Sequence, residues 1–204
     1  CQGRDVTVQT PGGETPTARL REEHRLILDV ARVLERLVER SETGGDTDFE
    51  AFADCVKFVR LFADACHHGK EEDLLFPALE DQGLPRDSGP IAVMLEEHRM
   101  GREYARRMDA ALEPARRGDG TALSELHAAA RDYVALIRGH ILKEDGVLFE
   151  MADRLVEGPA CRALCGDYDT VCARRFEGCT KRELERLAAD LGRRVPRSWG
   201  HAGS

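Results

Sequence analysis

"HHGKEEDLLFP" (residues 67–77) sets two histidines and three carboxylates within seven positions, directly ahead of a run of large apolar residues. A second stretch, "HILKEDGVLFE" (140–150), repeats the phrase. Aligned without a gap, His67 matches His140 and Glu71 matches Glu144, whereas His68 falls opposite Ile141 and Asp73 opposite Gly146. The repeat therefore singles out two His-x-x-x-Glu pairs. Spacing of i, i+4 puts both members of a pair on one face of a helix.

Working outward, "EEHRLILDVAR" (22–32) aligns with "EEHRMGREYAR" (96–106), pairing His24 with His98. The two sets of pairs lie 74 and 73 residues apart, as expected of a duplicated helix pair. Apolar residues recur at three- and four-residue steps over four long segments, which predicts helices at about 17–40, 49–79, 90–117 and 121–156. Thr47 with Glu50 reads as a capping box for the second. "GDG" and "DQGLPRDSGP" are the turns. Short links between long amphipathic helices predict an all-α, antiparallel up-down four-helix bundle built from a duplicated helix pair, with a Cys-rich helical extension behind it. The expected division is a flexible tether at 1–16, the bundle at 17–157, the extension packed on it at 158–195 and a disordered tail at 196–204.

Composition narrows the function classes. The net charge of −8, with Lys and Arg scattered among acids, argues against nucleic-acid binding. No apolar run is long enough to cross a bilayer. Cys1 ahead of a polar Gly/Pro-containing tether is the pattern of a lipidated bacterial protein, which would tether this one to the cell envelope; without that anchor the expectation is the cytoplasm.

His24 and His98 stand among Ile27, Leu28 and Ala31, and among Met94, Gly101 and Ala105, so they face inward from the first and third helices. Four histidines and two carboxylates then meet at one level of the core. A lone core histidine is commonly a hydrogen-bonded structural group, but six polar groups in duplicated register would cost many kcal/mol if buried unpaired. Imidazoles with carboxylates suit two iron or manganese ions better than one structural zinc. Two cations about 3.5–4 Å apart need anionic bridges, which Glu71 and Glu144 are placed to supply. Leu74, Leu75, Phe76, Val147, Leu148 and Phe149 are expected to wall the site from water, with Ala63 leaving room for a small ligand. His68, His127 and His201 are expected to have no ligand role, and Glu23, Glu72 and Glu97 to be outer groups. The Glu-x-x-His motif of ferritin-like bundles is absent.

This order of residues, with "EDLLFP" and "DGVLF" after the two pairs, resembles the hemerythrin-like (HHE cation-binding) family over about residues 18–156. The resemblance implies two non-haem irons, oxo- or hydroxo-bridged, with manganese or zinc as substitutes. His24 and His67 would serve one ion, His98 and His140 the other, with Glu71 and Glu144 bridging. It implies a small diatomic or peroxo ligand: dioxygen, nitric oxide or peroxide. Two departures stand out. Oxygen-carrying members have a further histidine where this chain has Arg102, and an Asp one place after Glu144, where Asp145 competes for the role. The more open centre resembles the branch linked to nitric-oxide stress and iron–sulfur repair. Reversible binding, sensing or carriage and redox turnover both remain open, the second needing a reductant the sequence does not name.

The extension carries Cys161, Cys165, Cys172 and Cys179, interleaved with Tyr168 and Phe176 as one helical stripe, followed by a Thr180–Glu183 cap. Three readings stand: reduced core thiols, a metal site weakened by the lack of C-x-x-C, or disulfides. Cys55 and Cys66 lie about 16 Å apart along one helix, too far to bond each other, but each could meet a tail cysteine.

Overall fold

A computed structural model describes residues 15–195, whose regular elements are all helices joined by short turns, with one isolated bridge in the extension. The expected lipid anchor at Cys1, most of the tether, the tail at 196–204 and His201 lie outside the described residues. None of the described helices is long and apolar enough to cross a membrane. The first rod is α1 (Ala18–Glu42). The second, 49–81, joins α2 (Phe49–Phe58) to π-helical Val59–His68 and Glu71–Leu75 and ends in α3 (Phe76–Asp81). The third is α4 (Gly89–Arg116), with Pro90 in its first turn. The fourth, 120–155, runs through α5 (Gly120–Lys143), π-helical Glu144–Leu148 and α6 (Phe149–Leu155).

Two local expectations are corrected. The second rod is capped by Asp48, whose carboxylate accepts from the Ala51 N–H at 2.9 Å, and Thr47 instead pairs its hydroxyl with Ser41 at 2.6 Å. Asp48 wins because its carboxylate reaches the N3 amide, one of the orphan donors of the first turn. The cysteine stripe does not continue as one helix: α7 (Gly158–Cys172) stops at Cys172, and Phe176 and Cys179 pair backbones across a tight turn. Glu177 and Gly178 take left-handed φ values of 48° and 85° there, which a helix cannot contain. The Thr180–Glu183 capping box is present and starts α8 (Lys181–Arg194).

Apolar packing divides into two clusters. One holds Leu20 of α1, Leu75, Phe76 and Met94, Leu148, Phe149 and, from α7, Leu164 and Tyr168. The other holds Ile27 and Leu34 of α1, Phe58 and Phe62, Ala105 and Met108, Tyr133 and Ile137, with Leu184 and Leu191 of α8. In every rod the chain passes from one cluster to the other through a histidine or glutamate: His24 in the first, His67 and Glu71 in the second, His98 in the third, His140 and Glu144 in the fourth. A polar layer thus lies between two apolar ones, and the extension covers both, α7 on the first and α8 on the second. Burial of each large side chain in these clusters is worth about 1.5–3 kcal/mol, which sets the stability available to hold a polar layer in the core.

Candidate metal centre

All six predicted side chains are buried, none more than 2% exposed. Glu144 Oε2 lies 3.1 Å from His24 Nε2 and 3.2 Å from His140 Nε2, and its Oε1 is 4.0 Å from His98 Nε2. Glu71 Oε1 is 3.4 Å from His67 Nε2 and its Oε2 3.5 Å from His98 Nε2. Each carboxylate therefore spans histidines from different rods. These close approaches are too misaligned to be hydrogen bonds: the four Nε2 atoms and all four carboxylate oxygens lack a partner. The lone pairs converge on shared space rather than on each other. Eight buried polar atoms in that condition are what a cation-binding core looks like before its charge is added, since buried polar groups are otherwise satisfied.

The other nitrogen of each ring is held. His24 Nδ1–H donates to Asp145 at 2.9 Å, His67 to Glu23 at 2.9 Å, His98 to Glu72 at 2.7 Å and His140 to Glu97 at 3.1 Å. A carboxylate only accepts, so each ring presents the bare Nε2 inward, as a ligand must. The four carboxylates obey the same repeat as the rings they orient: Glu72 corresponds to Asp145 and Glu23 to Glu97. Lys70 and Lys143, also repeat-related, pair with Glu23 and Glu97. The competition between Glu144 and Asp145 is resolved in position: Glu144 points into the core, while Asp145 is 38% exposed and orients His24. Replacing Asp145 with Ala is accordingly expected to weaken metal affinity by roughly 10–100-fold without abolishing it, whereas Glu144→Ala, which takes a carboxylate out of the core itself, is expected to abolish it. Competition with a chromogenic chelator separates the two, and equal losses would sink the distinction.

His68 departs from expectation. It is buried, stacks on His98 with ring centroids 3.8 Å apart, and its ring nitrogen groups within 4.8 Å with those of His98 and His140. His24, His67, Glu71 and Glu144 form the companion group. On a regular α-helix, adjacent residues diverge by about 100°, which would turn His68 away from His67. Two adjacent inward positions are nonetheless filled on both rods: His67 and His68 at the end of π-helical Val59–His68, and His140 and Ile141 on regular α5. The sequence held a signal for this: the repeat partner of His68 is Ile141, itself a buried core residue. Arg102, standing where oxygen carriers have histidine, turns outward and bonds Asp64 at 2.8 Å and Glu72 at 2.6 Å. It braces the carboxylate that orients His98.

His127 is buried elsewhere, stacked on Phe52. The expected apolar wall holds for Leu75, Phe76, Leu148 and Phe149, and Phe149 stacks on His24 at 5.1 Å. Val147 is 50% exposed and Leu74 only partly buried, because the π-helical turns that follow Glu71 and Glu144 rotate these side chains off the inner face. A surface hollow of about 540 Å³ reaches His68 between Asp64, Gly101, Arg102 and Tyr133.

Electrostatics are asymmetric. Burial pushes His67, His68 and His98 down to about 3. Burial would also lower His24 and His140, but Asp145 and Glu144 outweigh it at the first, Glu144 and Glu97 at the second, and both stand above the usual histidine range. Burial, reinforced by the Glu144 charge, holds Glu71 well above the ordinary carboxylate value. At Glu144 burial is overcome by His140 and His24, which keep it charged. The Glu144 charge thus raises the proton affinity of His24, His140 and Glu71 in the metal-free core.

The sequence profile of the Hemerythrin HHE cation binding domain matches residues 15–152. The chain belongs to the hemerythrin HHE family. The family match spans both His-x-x-x-Glu pairs and ends before the Cys-rich extension. Uncharacterized proteins of Mycobacterium tuberculosis and Mycobacterium bovis are 25% identical over 178 residues, covering 86% of this chain and 68% of theirs. No solved structure matches the chain. As a hemerythrin-family protein it is a metal binder, typically of iron, and its His and Glu groups fit that chemistry.

Proposed function

We propose that the chain is an antiparallel up-down four-helix bundle that holds two non-haem iron ions and binds, senses or carries a small diatomic or peroxo ligand. The observation that carries this reading is the convergence of eight partnerless Nε2 and carboxylate atoms between two apolar clusters. His24 and His67 would hold one ion. His98 and His140 would hold the other, with His68 as an additional donor on that side. Glu71 and Glu144 would lie between the two, their charge offsetting the repulsion of the cations. The irons would supply reversible ligand binding or electron transfer to the ligand. The chain's own part is to present four fixed Nε2 lone pairs, exclude water with Phe76, Leu148 and Phe149, and admit a ligand no larger than a few atoms. The hollow ending at His68 supports entry on the His98–His140 side, so the two ions would be inequivalent.

The test combines iron analysis with optical spectra of the reduced protein mixed with oxygen, nitric oxide and peroxide. Two irons per chain and a ligand-dependent charge-transfer band are expected. If a His67→Ala, His140→Ala variant kept both its iron and its bands, the assignment would be wrong. His68→Leu is expected to keep the His24–His67 ion and to alter the ligand-dependent band.

A further inference from the structure

Behind His67 lies a second cluster, of which the metal centre uses only Glu23. Cys66 is fully buried in the second rod, and Cys172 ends α7 half-buried. Their Sγ atoms and a Glu23 carboxylate oxygen all lie within 4.8 Å of one another. Lys70, with no exposed surface, pairs with Glu23 and brings its Nζ to 3.9 Å from Cys172 Sγ. Lys181, the first residue of α8, reaches Glu23 at 3.2 Å. Cys172 also lines a surface hollow of about 370 Å³, alongside Arg19, Asp169, Lys181 and Glu185, so its sulfur can be approached from solvent.

We propose that Cys66 and Cys172 form a peroxide-reactive dithiol that closes reversibly to a disulfide, pinning the extension to the rod that carries His67 and Glu71. Cys172 is the attacking sulfur. It is the more accessible of the two, and two ammonium groups stand near it, the setting that favours a thiolate. The hydrogen bond from Cys66, followed by the charges of Lys70 and Lys181, brings Cys172 down to about 6 against the opposing effects of burial and Glu23. The thiolate attacks the outer oxygen of a hydroperoxide. The O–O bond breaks, the leaving alkoxide takes a proton to become the alcohol, and Cys172 becomes a sulfenic acid. Cys66 then attacks that sulfur; the S–O bond breaks and water leaves with the Cys66 proton. Two thiols lose two electrons and one hydroperoxide gains them. A small external dithiol reverses the step by exchange.

Lys70 decides against the other chemistry these groups could offer. A cation held by Glu23, Cys66 and Cys172 would have to share the space where the Lys70 ammonium already meets Glu23 and faces Cys172. The pair also has a route to the metal centre, because Glu23 orients His67 and Cys66 is its chain neighbour. The dithiol itself does not rest on the iron reading.

Full-length protein, iron-loaded and chelator-stripped in parallel, would be treated with one equivalent of tert-butyl hydroperoxide. Intact mass and non-reducing peptide maps would then be recorded. In both forms a loss of about two mass units is expected, with a crosslink joining the Cys66 and Cys172 peptides that dithiothreitol reverses. In Cys66→Ser, Cys172 stops at the sulfenic acid and is trapped by dimedone; in Cys172→Ser the crosslink is lost. Lys181→Gln, at the protein surface, slows the reaction several-fold. Cys179 in the same sample serves as internal reference and is expected to react roughly tenfold more slowly than Cys172. A crosslink between another pair, equal reactivity of Cys179 and Cys172, or zinc bound by both thiols with no crosslink after peroxide overturns the proposal.

Discussion

Loading the metal-free protein with ferrous iron is expected to raise its Tm by about 10–20 °C. Two terms add. Without metal, the inward Nε2 and carboxylate atoms of these six residues have no hydrogen-bond partner, a condition that costs about 1–3 kcal/mol for each buried group and that protons drawn to His24, His140 and Glu71 offset only in part. With metal at a hundred times its dissociation constant, each of the two proposed sites adds about 2.7 kcal/mol of linkage stabilisation, and a chain of this size gains roughly 2–4 °C per kcal/mol. The gain depends on pH with a definite sign. His24, His140 and Glu71 all have raised pKa values in the metal-free core, and ligands must lose their protons to bind. Iron loading therefore releases protons, and the Tm gain shrinks as the pH falls through the raised values of His24 and His140, beginning above the ordinary histidine range. Scanning calorimetry of stripped and loaded protein at pH 8 and pH 6 would check this. A Tm that ignores saturating iron at pH 8 would contradict the proposed centre, as would a gain surviving in the His67→Ala, His140→Ala variant.

Lys70→Met should cost about 2–4 kcal/mol, far more than the loss of any exposed ion pair in the molecule. Lys70 has no exposed surface, and its partner Glu23 is 3% exposed. Burial alone would raise the Glu23 carboxyl. The hydrogen bond from His67 and the ammonium of Lys70 outweigh it and hold Glu23 well below the usual carboxylate range. Removing the ammonium leaves a buried carboxylate with only His67 and Lys181 to offset its charge. The sign in pH follows. A carboxyl depressed in the folded state contributes stability above its unfolded value and loses that contribution as pH falls toward the folded one. The penalty of Lys70→Met is therefore largest near neutrality and fades in acid, where Glu23 protonates in the variant. The double variant Glu23→Gln, Lys70→Met should recover part of the loss, because no buried charge is left unpaired. Denaturant unfolding of the single and double variants at pH 7 and pH 4 measures this. A single-variant cost below 0.5 kcal/mol would mean that the pair behaves as if solvated.

The duplicated phrase explains why so much of the centre was legible. His67, Glu71, His140 and Glu144 stand out because two copies of one helix pair preserve the inward residues and scatter the outward ones. The same logic extends to groups whose role the sequence left undefined: Glu23 with Glu97, Glu72 with Asp145, and Lys70 with Lys143 are also repeat pairs. Their function emerged only when the rods were placed side by side. Each of these contacts crosses from one rod to another, as from Glu23 to His67 or from Glu72 to His98. Periodicity along one helix carries no information about such contacts.

By itself the sequence determined an all-helical fold, four inward histidines and two inward carboxylates, because hydrophobic periodicity and repeat register report which face of a helix is buried. The tertiary structure decided three things that periodicity cannot. It put His68 as well as His67 in the core, since adjacent positions are both buried where neighbouring rods enclose more than one face of a helix. It set Asp145 outside the core as the partner of His24, since the choice between adjacent carboxylates depends on a rod 121 positions away. It brought Cys172 of the extension to Cys66, a contact that no spacing specifies because it is made by packing α7 across the bundle.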